Sequence, residues 1–243
     1  MLKIWDATNF RRTVGGLCLI LAPLLHFAGE RMAPNNTGTA GDWLAAASQN
    51  HDRYVESIYL IVMSGILMIP ALFAIAHVVR NRGVVLAHLG IAITLLALIL
   101  NTFVNAGANL MVAVMGSSGL DPGVMTTLIQ KSLTSPSVVS TPTFLGFFLQ
   151  LPGFFLIGLA VWRSGFGYRW AGPLISVWVV AAFFNPVQND ILEFVIDAMG
   201  VAGLAAIGYR VLVLKDSAWD SGSSRPDRAL APSVSQAQPV VGT

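Results

Sequence analysis

The amino-acid sequence predicts an all-α integral membrane protein, namely a bundle of six transmembrane helices with two short interfacial helices. The first observation is composition: 55% of the 243 residues are hydrophobic and only 11% are charged, whereas a soluble domain has about 25% charged residues. The second is that apolar stretches recur along the chain between short polar connections. These stretches are about as long as the roughly 20 residues that a helix needs to cross a bilayer.

The predicted spans follow a polar leader, residues 1–12, which we expect to be cytoplasmic. A cleaved signal peptide is the alternative at this end, because the first apolar stretch is short and follows basic residues. The third span exceeds the crossing length, so it should tilt or project beyond the bilayer. The spans are residues 13–28, 54–79, 83–115, 142–162, 170–184 and 187–214. The membrane domain is thus residues 13–215.

Two connections contain candidate surface helices. Asp42 is a candidate N-cap for a helix over residues 43–49. Asp121 precedes a second helix over residues 122–133, and Pro122 suits its first turn. The C-terminal residues 216–243 are rich in Ser, Pro, Gly, Ala and Gln, which predicts a disordered cytoplasmic tail.

The basic residues predict the orientation. Six spans place both termini on one side of the membrane, and cytoplasmic loops carry an excess of Lys and Arg. Cytoplasmic termini would place nine basic residues inside and three outside. The nine are Lys3, Arg11, Arg12, Arg80, Arg82, Arg163, Arg169, Arg210 and Lys215, and the three are Arg31, Arg53 and Lys131. We therefore expect a multi-pass protein of the plasma (inner) membrane with cytoplasmic termini.

Acidic side chains gather in the outer half of this predicted bundle. Asp190, Glu193 and Asp197 share one helix face. Asp190 and Glu193 also resemble a capping box, and Glu56 is equally compatible with a first helical turn. Asp197 lies two turns inside its span and cannot be a cap, and Glu30 lies at a helix C-terminus, where the dipole disfavours an anion. The predicted catalytic residues are Asp197, Glu30, Glu56 and Glu193.

Amide and aromatic side chains complete a predicted outward-facing cavity. Asn101, Asn105 and Asn109 form an i, i+4, i+8 stripe, although asparagines also join membrane helices by hydrogen bonds. Aromatic residues in the last three spans are candidate walls, with ordinary packing as the alternative. The predicted substrate-binding residues are Asn101, Asn105, Asn109, Asn189, Phe194 and Trp178. His26 and Glu30 are spaced i, i+4, but this pair alone is too little to predict a metal site.

Several function classes lack their sequence signals. The net charge of +2 without a basic run does not indicate nucleic-acid binding. The sequence has no phosphate-binding loop, dinucleotide fingerprint, nucleophile elbow or zinc-protease motif. The single cysteine, Cys18, lies in an apolar stretch and is expected to pack there. We expect no metal and no cofactor, and we expect a lipophilic small molecule and the bilayer as partners. The sequence does not indicate an oligomeric state.

Acids and aromatic walls in a membrane favour one reaction type. Several carboxyl groups crowded in a low dielectric cannot all ionise, so at least one should be a neutral acid. Such an acid can protonate an alkene or epoxide of a prenyl chain, and aromatic faces stabilise the carbocation that forms. The sequence thus favours a metal-independent terpene cyclase. A proton-coupled small-molecule transporter and a structural or immunity-type membrane protein remain the alternatives.

Two motifs carry a family resemblance. They are Arg12-Thr13-Val14-Gly15-Gly16-Leu17 and Trp162-Arg163-Ser164-Gly165-Phe166-Gly167-Tyr168-Arg169-Trp170-Ala171-Gly172. On these, the chain over residues 12–214 resembles a family of small six-helix bacterial membrane proteins of unknown function. In size, helix number and Ala/Gly/Val-rich composition it is also similar to actinobacterial membrane-bound terpene cyclases that act on prenylated indoles. That similarity implies cyclase activity through overall likeness rather than through a shared catalytic motif.

Overall fold

The computed structural model describes residues 7–34, 39–80, 82–134, 139–185, 189–215 and 218–219. Over these residues the chain is helical, with turns between the helices and no strand. The helices are α1 (Ala7–Met32), α2 (Ala40–Gln49), α3 (His51–Val78), α4 (Val84–Ala97), a π-helix (Leu98–Phe103), α5 (Val104–Ser117), α6 (Pro122–Thr134), α7 (Ser140–Ser164), α8 (Ala171–Phe183) and α9 (Asp190–Leu212).

Five helices are long and apolar enough to cross a membrane, which supports a multi-pass membrane protein. They are α1, α3, the continuous helix Val84–Ser117, α7 and α9. The helix α8 is apolar but has only 13 residues, which at about 1.5 Å per residue is shorter than the roughly 30 Å of hydrocarbon in a bilayer. It packs between α7 and α9 as a shorter sixth member of the bundle.

The two ends of the bundle differ. At one end the Arg12 side chain donates a hydrogen bond to the carbonyl of Leu214, so the first residues of α1 lie beside the last residues of α9. We call this the termini end. At the other end α1 stops, α9 begins, the short helix α2 packs on α5 and the short helix α6 packs on α2. We call this the capped end.

Apolar side chains and glycines hold the bundle together. Large residues of α3, α7, α8 and α9, such as Leu72, Ile157 and Leu204, are completely or almost completely buried in one continuous core. Helices also meet at glycine: a Cβ on Gly208 would lie 2.7 Å from the carbonyl oxygen of Gly16. Small residues allow this close backbone approach, which is how membrane helices commonly associate.

The two predicted surface helices are present. They enclose a second apolar core with α3 and α5, in which Leu44 of α2 and Ile129 of α6 are buried. Asp121 accepts hydrogen bonds from the first N–H groups of α6, as a helix cap does. The cap of α2 is Thr39, which accepts from the N–H of Asp42, and not Asp42 itself.

A π-helix interrupts the longest helix. Leu98–Phe103 carries the π pattern between α4 and α5, and it contains Asn101 and Thr102. The sequence predicted one continuous helical span over residues 83–115, because no proline, Asp, Glu, Lys or Arg interrupts it. Single π-turns within α-helices are rare and are often found at functional sites.

The predicted disordered tail contains at least one ordered residue. Trp219 is 3% exposed, and its ring stacks on His77 of α3 with the ring centroids 4.1 Å apart. An indole ring removes a large apolar area from solvent when it packs in this way. Apart from Ala218 and Trp219, the predicted tail lies outside the described residues, as do residues 1–6 of the leader and residues 187–188 of the sixth predicted span.

Candidate functional site

Two adjoining compartments form a polar chamber near the capped end. The inner compartment has a volume of about 90 Å³ and reaches Asp197 and Trp178. The asparagine compartment has a volume of about 350 Å³ and follows the face of the π-helix and α5. Four residues line both compartments, which therefore lie next to each other: His26, Glu30, Thr102 and Gln150.

The chamber gathers many of the residues that the sequence singled out. Glu30 comes from α1, Trp178 from α8 and Asp197 from α9. Six predicted site residues line the chamber: Glu30, Asn101, Asn105, Asn109, Trp178 and Asp197. The chamber therefore brings together six of the ten predicted site residues, from both ends of the sequence, near the capped end of the bundle.

Asp197 is paired with a cation. Its Oδ2 lies 2.7 Å from Nη2 of Arg31, and about one third of each side chain is exposed. The guanidinium also lies over two aromatic rings, 5.6 Å from the centroid of Phe27 and 5.9 Å from that of Phe194. The sequence hypothesis placed Asp197 among crowded carboxyl groups. In the structure its ion-pair partner is instead the cation Arg31.

His26 and Glu30 form the second side-chain pair in the chamber. His26 Nε2 lies 4.0 Å from Glu30 Oε1, one helical turn apart on α1. Both side chains are about half exposed, so they are accessible to a molecule in the chamber. Among the described residues, this is the only ion pair of Glu30. An imidazole beside a carboxyl group can accept or return a proton, which is the usual arrangement of a general acid–base pair.

The asparagine stripe divides into two roles. The Tyr54 hydroxyl donates a 2.6 Å hydrogen bond to Asn109 Oδ1, and Asn109 Nδ2 donates to the carbonyl of Asn105 at 2.9 Å. Asn109 therefore connects α3 to α5. Asn101 lies within the π-helix, and Asn105 follows it in the first turn of α5. A Cβ on Gly146 of α7 would lie 2.5 Å from the Asn101 backbone nitrogen. This contact holds α7 against the π-helix and fixes one wall of the chamber.

Aromatic rings form the wall of the inner compartment. Phe154 and Trp178 meet edge to face, with their centroids 5.2 Å apart. Trp178 lies flat against α9 because residue 200 is glycine: a Cβ there would be 2.5 Å from the indole Cε2. The ring position that shapes the compartment thus depends on Gly200.

Four predicted site residues lie outside the chamber lining. Asn189 is the N-cap of α9, because its side-chain oxygen accepts hydrogen bonds from the N–H groups of Ile191 and Leu192. The expected cap was Asp190. Glu56 is exposed on the first turns of α3, and Glu193 lies in the first turn of α9. Phe194 is 51% exposed and contacts Phe27 and Arg31.

Sequence reasoning missed Gln150 and His26 in the chamber lining and Arg31 beside it. Gln150 is a polar group within an apolar span, which is a recognised sign of function. His26 was considered only as a metal ligand. Arg31 contacts the chamber through Asp197, and no sequence spacing connects two residues so far apart in the chain. Among the described residues, no group of three His, Cys, Asp or Glu side chains is arranged to hold a metal ion.

The chain matches no family model, no curated protein and no solved structure. Its function has to be inferred from the chamber: an acid–base pair, a salt bridge and aromatic walls at one end of an apolar bundle.

Proposed function

We propose that this protein is a membrane-embedded enzyme that acts on a lipophilic substrate, most concretely a metal-independent terpene cyclase. The observation that supports this most is the position of Glu30, which shares the chamber with His26 and with the rings of Phe154 and Trp178. A carboxyl group next to aromatic faces in an apolar bundle suits the formation of a carbocation and its stabilisation by cation–π attraction.

In the proposed reaction the acid is Glu30, because Asp197 is held by Arg31. The Glu30 carboxyl group donates its proton to one carbon of a prenyl double bond. The cation on the other carbon is attacked by a second double bond, which closes a ring. The resulting cation then loses a proton to His26 or to the Glu30 carboxylate, so that substrate and product are isomers and no oxidant is consumed.

The proposal places the protein in the plasma membrane with cytoplasmic termini and α8 as the sixth span. Its support is the charge distribution over the described residues. The termini end carries Arg11, Arg12, Arg80, Arg82, Arg163, Arg169, Arg210 and Lys215. The capped end carries Arg31, Arg53 and Lys131. This excess is the one that cytoplasmic loops show.

Solvent deuterium is the direct test of the proposed reaction. Purified protein in lipid nanodiscs is incubated in D₂O with 3-geranylgeranylindole. The products are separated by chromatography, and their masses are measured by mass spectrometry. Protonation of an alkene by an acid in exchange with solvent should give a cyclic isomer that carries one non-exchangeable deuterium. Glu30→Gln should abolish this product, whereas Glu56→Gln, the same change at an exposed acid, should leave it intact.

Equal product from the Glu30→Gln and wild-type proteins would contradict the role of Glu30. If neither this substrate nor its terminal epoxide yields an isomer, the cyclase proposal fails. A proton-coupled transporter is the alternative, and it would acidify vesicles on addition of substrate. The buried apolar core between the chamber and the termini end offers little support for it, because protons need polar groups along their path.

A further inference from the structure

A third cavity lies beside the polar chamber, between α5, α6 and α7. Its volume is about 440 Å³, within the range of about 300–1,000 Å³ that ligand sites occupy. Its walls are mostly apolar and include Met111, Met115, Ile129 and Phe144. We call it the chain compartment.

The chain compartment lies next to the polar chamber. Asn101, Asn105 and Phe147 line both the chain compartment and the asparagine compartment. Phe147 is held in place by its neighbours, since it stacks on Phe183 with the centroids 5.0 Å apart. An elongated molecule can therefore have its apolar part in one cavity and its reacting part in the other, with Phe147 at the boundary.

The chain compartment opens on the apolar outside of the bundle. Two residues of its wall are also well exposed, Met111 of α5 at 60% and Phe144 of α7 at 66%. α7 packs closely along α4 and the π-helix, but it makes few contacts with α5. The helices thus separate towards the capped end, and the opening lies between two apolar surfaces that a bilayer would cover.

We propose that the chain compartment binds the isoprenoid chain of the substrate, which comes in laterally from the lipid between α5 and α7. The isoprenoid nature of the chain rests on the proposed function, whereas the position of the site rests on the cavity itself. A chain without charged groups matches the apolar walls, and the position of the compartment next to the chamber brings the first double bonds towards Glu30. A substrate dissolved in lipid would not have to cross the aqueous phase.

Photolabelling tests the site without depending on catalysis. The probe is geranylgeraniol with a diazirine at the far end of its chain, added to the protein in nanodiscs and cross-linked by light. Labelled residues are then identified by tandem mass spectrometry. Labels are expected on α5, α6 and α7 around Met115 and Ile129. Excess unlabelled geranylgeraniol should suppress them, but it should not suppress labels on the lipid-facing Phe73, which is 59% exposed.

A filling substitution provides the matched comparison. Ala108→Trp inserts a large ring into the compartment that Ala108 lines, and it should reduce the competed labelling about tenfold. Val114→Trp adds the same ring to the same helix at a position 64% exposed to the outside, and it should leave labelling unchanged. Ala108→Phe serves as the milder variant if the larger ring prevents folding, which the elution profile of the purified protein would show.

Equal labelling of the compartment and of Phe73, or no difference between the two tryptophan variants, would overturn the proposal, because the probe would then contact the protein only as bulk lipid. Glu30→Gln separates this proposal from the proposed reaction. Labelling that persists in the Glu30→Gln variant, together with no isomer from the wild type, would keep the chain site and reject the cyclase. Isomer formation by the wild type, with labels only outside the compartment, would keep the cyclase and reject the chain site.

Discussion

Arg31 Nη2 lies 2.7 Å from Asp197 Oδ2, and this ion pair joins the last turn of α1 to the second turn of α9. The two residues are separated by 166 positions in the chain. The Arg31 guanidinium also contacts the faces of Phe27 and Phe194, one from each helix. The bridge therefore fixes α1, which carries His26 and Glu30, against α9, which carries Gly200 and supports Trp178.

Removing one partner of this bridge should destabilise the protein more than replacing both. Asp197→Leu leaves a partly buried guanidinium without its anion, and we expect a loss of about 2 kcal/mol in the free energy of unfolding. Arg31→Met combined with Asp197→Leu should lose less, because two apolar side chains need no partner. Steric trapping in bicelles measures both values. A double variant that is less stable than Asp197→Leu would contradict the pairing.

Gly200→Ala should displace Trp178. The added Cβ would lie 2.5 Å from the indole Cε2, so the ring or α9 must move, at a cost of about 1–3 kcal/mol in unfolding free energy. Gly107→Ala is the matched control, since a Cβ there meets nothing within 4 Å, and alanine should stabilise that helix by about 0.5–1 kcal/mol. Thermal unfolding followed by circular dichroism distinguishes the two signs.

The same clash can be checked by removing the ring. In a Trp178→Ala background the alanine at position 200 has no indole to meet, so the cost of Gly200→Ala should disappear. A cost that persists in this background would mean that the substitution acts on α9 itself and not on the wall of the inner compartment.

Tyr54→Phe should weaken the link between α3 and α5. The Tyr54 hydroxyl is buried and donates to Asn109 at 2.6 Å, and a hydrogen bond between membrane helices contributes about 0.6 kcal/mol on average and up to about 1.7 kcal/mol. We expect a loss within that range. Tyr59→Phe changes an exposed residue of the same helix, and it should leave the unfolding free energy unchanged. Equal effects of the two substitutions would show that the Asn109 bond does not contribute.

Much of the fold could be predicted from hydropathy. The second span was expected over residues 54–79, and the helix is His51–Val78. The fifth was expected over residues 170–184, and the helix is Ala171–Phe183. Apolar runs reveal membrane helices because the side of a helix that faces lipid and the side that faces the core both carry apolar side chains. For the same reason, hydropathy cannot reveal how the helices pack or how far α8 reaches.

The site was predictable only in part. Asp197 and Glu30 were recognisable because carboxyl groups are costly within a membrane. The partner of Asp197 was not, because only the packing of α1 against α9 brings Arg31 to it. The π-helix was not predicted either, since no proline or charged residue marks Leu98–Phe103. Glu56 was selected for the same reason, but it lies near the start of α3, where its side chain is exposed.

Trp219→Ala should destabilise the termini end. Trp219 is buried, stacks on His77 and has its carbonyl 3.1 Å from His77 Nε2. Truncation of a buried tryptophan costs about 3–5 kcal/mol in unfolding free energy. Trp162→Ala, at a position 57% exposed, is the control and should cost much less. The melting temperature of the purified protein measures the difference, and equal shifts would indicate that Trp219 does not pack on α3 in solution.

The proposed orientation can be read from cysteine labelling, because the native chain has one cysteine, Cys18, and it is buried. In a Cys18→Ala background, Leu120→Cys introduces a thiol at the capped end, where the leucine is 63% exposed. Tyr168→Cys introduces one at the termini end, where the tyrosine is 41% exposed. Neither change removes a basic residue, so the charge asymmetry that orients the protein is kept. A membrane-impermeant maleimide added to intact cells should label the cysteine at 120 and should reach the one at 168 only after permeabilisation. The opposite pattern would place the polar chamber on the cytoplasmic side, where a cytoplasmic prenylated substrate would not have to cross to the outer leaflet.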